Sequence, residues 1–297
     1  MNVDARGRAA FLAYRAGAEL ARVVPPALGG VVADGLARVA RVAAPERRAQ
    51  VARTLTRVTA GDLRGAALDR AVDEVFANYA RYWHELFRLA DLTPARRREG
   101  LVLEGTGVID TALARGRGVI LALPHLGNWD FAGAGMAAYG YRMSAVTEVV
   151  EPPALFDWFV RTRERIGIRV IPLGPDSATR ITRHLAAGRV VCLLADRDLS
   201  GTGIEVEFFG ERTTVPGGPA LLALRTGAPL VAGAAYFADG SGHVGRFLAE
   251  IPTHREGRMR DDVTRVTRAL VREMEAAIRV APEQWLLMQP NWPSDRP

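Results

Sequence analysis

Apolar positions change rhythm once along this chain. Up to about residue 98 they recur at helical spacing, with breaks at Pro25-Pro26, Pro45 and Thr93-Pro94, because proline ends one helix or opens the next. Within 67–91, Leu68, Val72, Val75, Phe76, Tyr79 and Trp83 share one stripe and predict a long core helix. From residue 101 the pattern becomes strand, then helix, repeated. Strands are expected at 101–105, 118–124, 142–149, 168–173, 190–195, 205–209, 229–237 and 243–251, and helices at 106–115, 128–139, 153–166, 176–187 and 217–226. Near-continuous apolar strands such as GVILALP and VVCLLA need both faces covered. The pattern therefore predicts an α/β fold: a mostly parallel or mixed central sheet flanked by helices on both faces, with an N-terminal helical segment. The mixed character comes from Phe237–His243, which reads as a hairpin turn. The organisation that follows is a helical region over 1–98 and an α/β core over 99–297, integrated as one domain.

The two terminal helices differ. Leu12, Ala16, Leu20 and Val23 form one stripe beside Arg8, Arg15, Glu19 and Arg22. Such a basic amphipathic helix, over 8–23, can lie in a membrane interface or pack on its own domain. Near the other end Val263, Val266, Leu270 and Met274 stripe a helix opposite Arg265, Arg268 and Arg272, which reads as a core-facing helix with a solvated basic back.

Composition narrows the possibilities. Of 297 residues 48% are hydrophobic and 24% charged, an ordinary globular balance. All 39 cationic side chains are arginine, and the net charge of +6 implies an anionic partner such as a phosphate-bearing substrate or an anionic membrane surface. Nucleic acid is disfavoured, because no aromatic and basic residues interleave and no helix-turn-helix signal occurs. The single cysteine, Cys192, excludes an internal disulfide and reads as a small buried hydrophobe. No run reaches the roughly 18 apolar residues of a spanning helix. The expectation is a protein of the cytosol, or one held on the cytoplasmic face of the plasma or inner membrane.

The segment LALPHLGNWD, residues 121–130, carries the candidate chemistry. His125 falls where an apolar strand turns into a helix, and open α/β sheets bind ligands at the carboxyl ends of their strands. Asp130 lies in the first turns of that helix. Its carboxylate is expected to reach one ring nitrogen of His125, leaving the other free to accept a proton. The competing reading is a helix-capping histidine, with the aspartate merely favouring the helix dipole; spacing and position leave the two about balanced. Glu148 ends a strand near the same edge, as solvated glutamates often do, and Arg163 sits on a helix among several other charges. Asp196-Arg197-Asp198 follows another apolar strand at its carboxyl end. Two carboxylates at i and i+2 suit Mg²⁺, but the arginine between them argues for an ion-pair network and no metal. Val215-Pro-Gly-Gly-Pro219 leads into a helix and is equally a turn or an anion cradle. His84, His184, His243 and His254 read as packed or solvated.

PHLGNWD resembles the HX4D motif of glycerolipid-type acyltransferases. With LALPHLGNWDFAG, LLADRDLSGTGIEVEFFGE, VPGGPALLALRTGAPLV and the final WLLMQPNW in order, the chain resembles the bacterial lipid A lauroyl/myristoyl acyltransferase-like superfamily. Within it the likeness is to the phosphatidylinositol mannoside acyltransferases of actinobacteria, over roughly residues 75 to 292. The resemblance implies transfer of a fatty acyl chain, such as palmitoyl, from acyl-CoA to a mannose hydroxyl of a membrane glycolipid. Acyl-CoA is then the donor substrate, with no permanently bound cofactor. The resemblance also implies that His125 is the general base and Asp130 its orienting partner, with Glu148, Arg163 and Asp196 around them. The mannoside enzymes carry glutamate at the last position, and Asp196 is one methylene shorter. The lipid A branch commonly has glutamate in place of Asp130 and a membrane-spanning N-terminal segment. An acyl-CoA thioesterase using the same dyad is the rival of another class.

Overall fold

In the computed structural model, which describes residues 44–199 and 201–296 together with Gly35, the helical N-terminal region supplies three helices. They are α1 (Pro45–Val58), α2 (Gly65–Leu89) and α3 (Pro94–Glu99). Pro45 and Pro94 open two of them, and the Thr93 hydroxyl caps α3 by accepting the Arg96 N–H at 3.2 Å. The basic helix expected over 8–23 lies outside the described residues. On α2 the stripe of Val72, Val75 and Phe76 is buried as expected, but it continues through Tyr82, Leu86 and Leu89, leaving Tyr79 and Trp83 half-buried beside it.

The expected strand–helix alternation follows. It runs β1 (Leu101–Glu104), α4 (Thr106–Ala114), β2 (Val119–Leu123), α5 (Trp129–Ala138), β3 (Met143–Thr147), α6 (Pro153–Arg165), β4 (Ile168–Pro172), α7 (Ser177–Ala186) and β5 (Val190–Leu194). A hairpin of β6 (Ile204–Phe208) and β7 (Glu211–Val215) interrupts it, before α8 (Gly218–Thr226), β8 (Leu230–Phe237), β9 (His243–Ile251) and α9 (Met259–Val280). Seven strands form one sheet in the order β1-β9-β8-β2-β5-β3-β4. β8, β2, β5, β3 and β4 run parallel, and β9 returns antiparallel to β8 through the expected hairpin, taking β1 with it.

Two features depart from expectation. The 205–209 strand forms, but outside the main sheet, paired with β7, which its polar sequence ERTTV did not signal. The two-residue turn joining them places Phe209 and Gly210 at φ 52° and 78°, the left-handed geometry that matches strand twist in tight hairpins.

Every residue of β2 is buried. Ile120 and Ala122 face one hydrophobic cluster with Ile181 of α7, Ala223 of α8 and Leu270 of α9. Leu121 and Leu123 face another with Ile109 of α4, Phe131 of α5, and Tyr82 and Leu86 of α2. This two-sided burial is why the strand reads as a continuous apolar run rather than an alternating one. Ile120→Ala, at a fully buried position, is expected to cost about 2–5 kcal/mol in urea unfolding followed by circular dichroism. Val102→Ala, on the edge strand and 58% exposed, should stay within about 0.5 kcal/mol of the parent.

Candidate active site

Parallel pairing of β2 with β5 assembles the site. Leu123 pairs with Leu194, and the Ala195 N–H continues the ladder onto the Leu123 carbonyl at 3.0 Å. The residues just past the two strand ends, His125 and Asp196, therefore meet. His125 Nδ1 lies 2.7 Å from Asp196 Oδ1, and the His125 backbone N–H donates to Asp196 Oδ2 at 2.8 Å. Trp285 Nε1 donates to the same oxygen at 2.7 Å. With a carboxylate on Nδ1, the proton of the neutral ring resides there and Nε2 is the basic nitrogen. The side chain of Asp196 is fully buried, whereas that of His125 is 27% exposed, so the imidazole is reachable from solvent and the carboxylate is not. Burial alone would raise the Asp196 pKa. The charge and hydrogen bonds of His125, with the Trp285 N–H, outweigh burial and hold the carboxyl below its ordinary value.

The loop bearing His125 is pinned by the segment after α9. The Leu286 N–H donates to the His125 carbonyl at 2.8 Å, and the Gly127 N–H to the Gln284 carbonyl at 2.9 Å. Gly127 adopts φ 57°, and a Cβ there would lie 2.5 Å from the Ala235 carbonyl oxygen. No other residue fits this turn without moving β8.

Asp130 does not touch His125, which corrects the expected pairing. At the second position of α5 its carboxylate is held by Arg163 of α6, through Nε at 2.8 Å and a second nitrogen at 3.0 Å, and by the Tyr82 hydroxyl of α2 at 2.8 Å. Asp130 and Arg163 are both largely buried, and removing one partner from such a pair costs about 3–5 kcal/mol. Burial favours a neutral Arg163, but the Asp130 charge and hydrogen bond prevail and raise its pKa. Tyr82 is pushed well above its ordinary value, by burial first and then by the Asp130 charge.

The remaining candidates separate. Among the described residues no ion pair joins Asp196, Arg197 and Asp198, and Asp196 is instead engaged by His125 and Trp285. Asp198 instead closes its own loop by accepting the Gly201 and Gly203 N–H groups at 3.1 and 2.8 Å. Glu148 is exposed beyond the end of β3, and Arg197 is half-buried beside Asp196. Neither makes a side-chain hydrogen bond or ion pair with the described residues. Trp285 and Tyr82 were not singled out from the sequence, although Trp285 opens the WLLMQPNW block and Tyr82 lies on the apolar stripe of its helix.

Beside the dyad an apolar slot runs between α5 and the sheet. Leu121 and Leu123 of β2, Cys192 and Leu194 of β5, Ala145 of β3, Gly233 of β8 and Phe247 of β9 form its floor, with Gly133 and Met136 of α5 above. Trp129, Asp130 and Arg163 stand at the same cavity. Trp129 meets His125 edge to face, with ring centroids 5.2 Å apart, so one ring touches both the histidine and the slot. Cys192 lies in that floor, its thiol pushed up to about 12 by burial and then by Asp130. It carries almost no thiolate at neutral pH and is not the nucleophile.

Asp196→Asn provides a test of the geometry. An amide in that place would accept from the His125 and Trp285 N–H groups and donate to His125 Nδ1, moving the ring proton to Nε2. Nitrogen-15 NMR of the imidazole is expected to report Nδ1–H in the parent and Nε2–H in the variant; the same tautomer in both would refute the assignment.

Comparison with known proteins identifies the family. The profile of the bacterial lipid A biosynthesis acyltransferase family matches residues 2–294. A phosphatidylinositol mannoside acyltransferase of Mycolicibacterium smegmatis is 37% identical over 97% of this chain and 93% of its own length. That of Mycobacterium tuberculosis H37Rv is 35% identical over 95% and 88%. A lipid A biosynthesis acyltransferase of Haemophilus influenzae is 25% identical over 74% and 68%. The chain, with its histidine–carboxylate pair at the edge of an apolar slot, belongs to the bacterial lipid A biosynthesis acyltransferase family and is an acyltransferase.

Proposed function

We propose that this acyltransferase moves a long acyl chain, palmitoyl in the first instance, from acyl-CoA to a mannose hydroxyl of a phosphatidylinositol mannoside. The observation that carries the reading is the reachable His125, held by buried Asp196, beside an apolar slot. The acceptor follows the two mycobacterial relatives, which are named for that substrate. The slot floor draws on five adjacent strands, β9, β8, β2, β5 and β3.

In this mechanism His125 Nε2 removes the proton from the acceptor hydroxyl as its oxygen attacks the thioester carbonyl. The Asp196 carboxylate stabilises the imidazolium that forms. The tetrahedral intermediate then collapses, an oxygen ester replaces the thioester, and CoA leaves as a thiol with the proton returned from Nε2. The N–H groups of Trp129 and Asp130, the first two of α5, lack intrahelical acceptors and are the donors the fold offers to the oxyanion. Asp130 acts through Arg163 and Tyr82, setting the wall of the slot, rather than through the base.

Exposed apolar residues support a lipid acceptor. Val149, Leu173 and Leu199 follow the carboxyl ends of β3, β4 and β5, and all three are exposed. That is the sheet edge carrying His125 and Asp196, so the protein would meet the membrane there, peripherally and from the cytoplasmic face. No described helix is long and apolar enough to cross a membrane.

The assay is transfer from labelled palmitoyl-CoA to a mannosylated phosphatidylinositol. His125→Ala should lower the rate by about 10²–10⁴-fold. Full activity in that variant would exclude the base, and fatty acid release unaffected by the acceptor would identify a thioesterase instead. Transfer to a lipid A precursor but not to the mannoside would reassign the acceptor.

A further inference from the structure

Behind the HX4D turn lies a second polar cluster that the mechanism above does not use. Asn128, fully buried, is the residue before α5. Its Oδ1 accepts the Phe131 N–H at 2.9 Å, and its Nδ2 donates to Glu85 Oε2 at 2.7 Å. His243 Nε2 reaches the same Glu85 oxygen at 2.8 Å, and Arg81 Nε reaches Oε1 at 2.8 Å. The His243 ring, 2% exposed, stacks on Phe131 with centroids 3.8 Å apart. Glu85 thus accepts from three donors, and the amide of Asn128 has only one orientation that satisfies both of its neighbours. Although burial would raise its pKa, the hydrogen bond and charge of His243, then Arg81, hold the Glu85 carboxyl below its ordinary value.

Helix geometry explains what this cluster does. Tyr82 and Glu85 are one turn apart on α2 and both point at the start of α5, Tyr82 to Asp130 and Glu85 to Asn128. Between those two attachments sits Trp129, stacked on Tyr82 at 4.4 Å and edge-on to His125. The spacer of the HX4D motif is therefore gripped on both sides of a ring that touches both His125 and the slot.

Resting on the reading of His125 as base, we propose that Asn128 is a positioning residue for acyl transfer. Glu85 and His243 fix its amide, and through it they hold the first turn of α5 and Trp129 at the angle the reaction needs. A helix needs only an acceptor at this place, which aspartate supplies as well as asparagine. The Nδ2–Glu85 bond is what asparagine adds.

Asn128→Asp separates the two roles, since it keeps the cap and sets a second carboxylate against Glu85. The expected result at pH 8 is a kcat lower by roughly tenfold, with KM for palmitoyl-CoA within about twofold. The ratio of variant to parent activity should rise as pH falls, because a proton shared by the two carboxyls restores the bond. In Asn128→Asp/Glu85→Gln the amide and carboxylate exchange places. His243 can accept at Nε2 with its proton on Nδ1, and most of the parent kcat should return. A parent-like kcat in Asn128→Asp, or a folded exchange variant no faster than the single one, would overturn the proposal. So would a loss of activity that merely follows a lower melting temperature. Should the single variant fail to fold, the exchange variant decides alone: parent-like kcat supports the proposal, and a tenfold deficit in folded protein overturns it. Activity surviving in His125→Ala would instead remove the base itself, an outcome distinct from all of these.

Discussion

A carboxylate stripped of water must find donors, and Asp196 is the place where this protein meets that demand. Its side chain is wholly buried and accepts from the His125 ring, the His125 backbone and the Trp285 indole. Those donors come from the loop after β2 and from the segment after α9, while the carboxylate follows β5. The charge therefore cannot be satisfied until a strand pair, a turn and the last part of the chain are all in place. The Asn291 side chain adds a fourth tie by donating to the Asp196 carbonyl at 3.0 Å. An unpaired charge of this kind costs several kcal/mol, so the orientation of His125 is coupled to the assembly of the fold rather than to its own rotamer preference.

Much of the fold was legible because its signals are local. A strand covered on both faces reads as an apolar run, a proline opens a helix, and a glycine-rich turn ends a hairpin. The hairpin partner ERTTV was not legible, since its burial depends on what packs over it: Thr213 and Val215 are buried while Glu211 and Arg212 are not. The site was legible in half. His125 and Asp196 each announced themselves by following an apolar strand, but that they are partners did not show. Five residues of spacing put Asp130 near His125 along the chain, yet helix geometry turns its side chain toward α2 and α6. Asp196, 71 residues away, is brought in by strand register, which single-sequence spacing cannot reveal. The resemblance to known acyltransferases had placed Asp196 near the site but gave the orienting role to Asp130.

Cys192 illustrates the same limit from the other side. Inside VVCLLA it reads as an inert core residue, and the thiol is indeed held protonated. It nevertheless lines a slot, together with Leu121 and Ala145 on the neighbouring strands, Gly233 of β8 and Gly133 of α5. Apolar composition alone does not distinguish a filled interior from a lined one, because both keep water out. Only the arrangement of side chains on facing elements does so, and that arrangement is a property of the fold.

Two acids near one base raise the question of why the chemistry does not stall on competing charges. The structure separates them by neutralisation. Asp130 is balanced by the bidentate Arg163 and a Tyr82 hydroxyl, while Asp196 is balanced only when His125 carries a second proton. At the first centre the charge is cancelled in the resting state, so the wall of an apolar slot bears an ion pair rather than a bare carboxylate. At the second, in the proposed mechanism, it is cancelled only in the transition state, as the acceptor proton reaches Nε2 of His125. That differential is what stabilises a transition state rather than a ground state. Exchanging the two environments, with the arginine on the base's partner, would cancel the Asp196 charge before proton transfer and weaken the base. The fold prevents this by placing Arg163 on a helix that approaches α5 and not the end of β5.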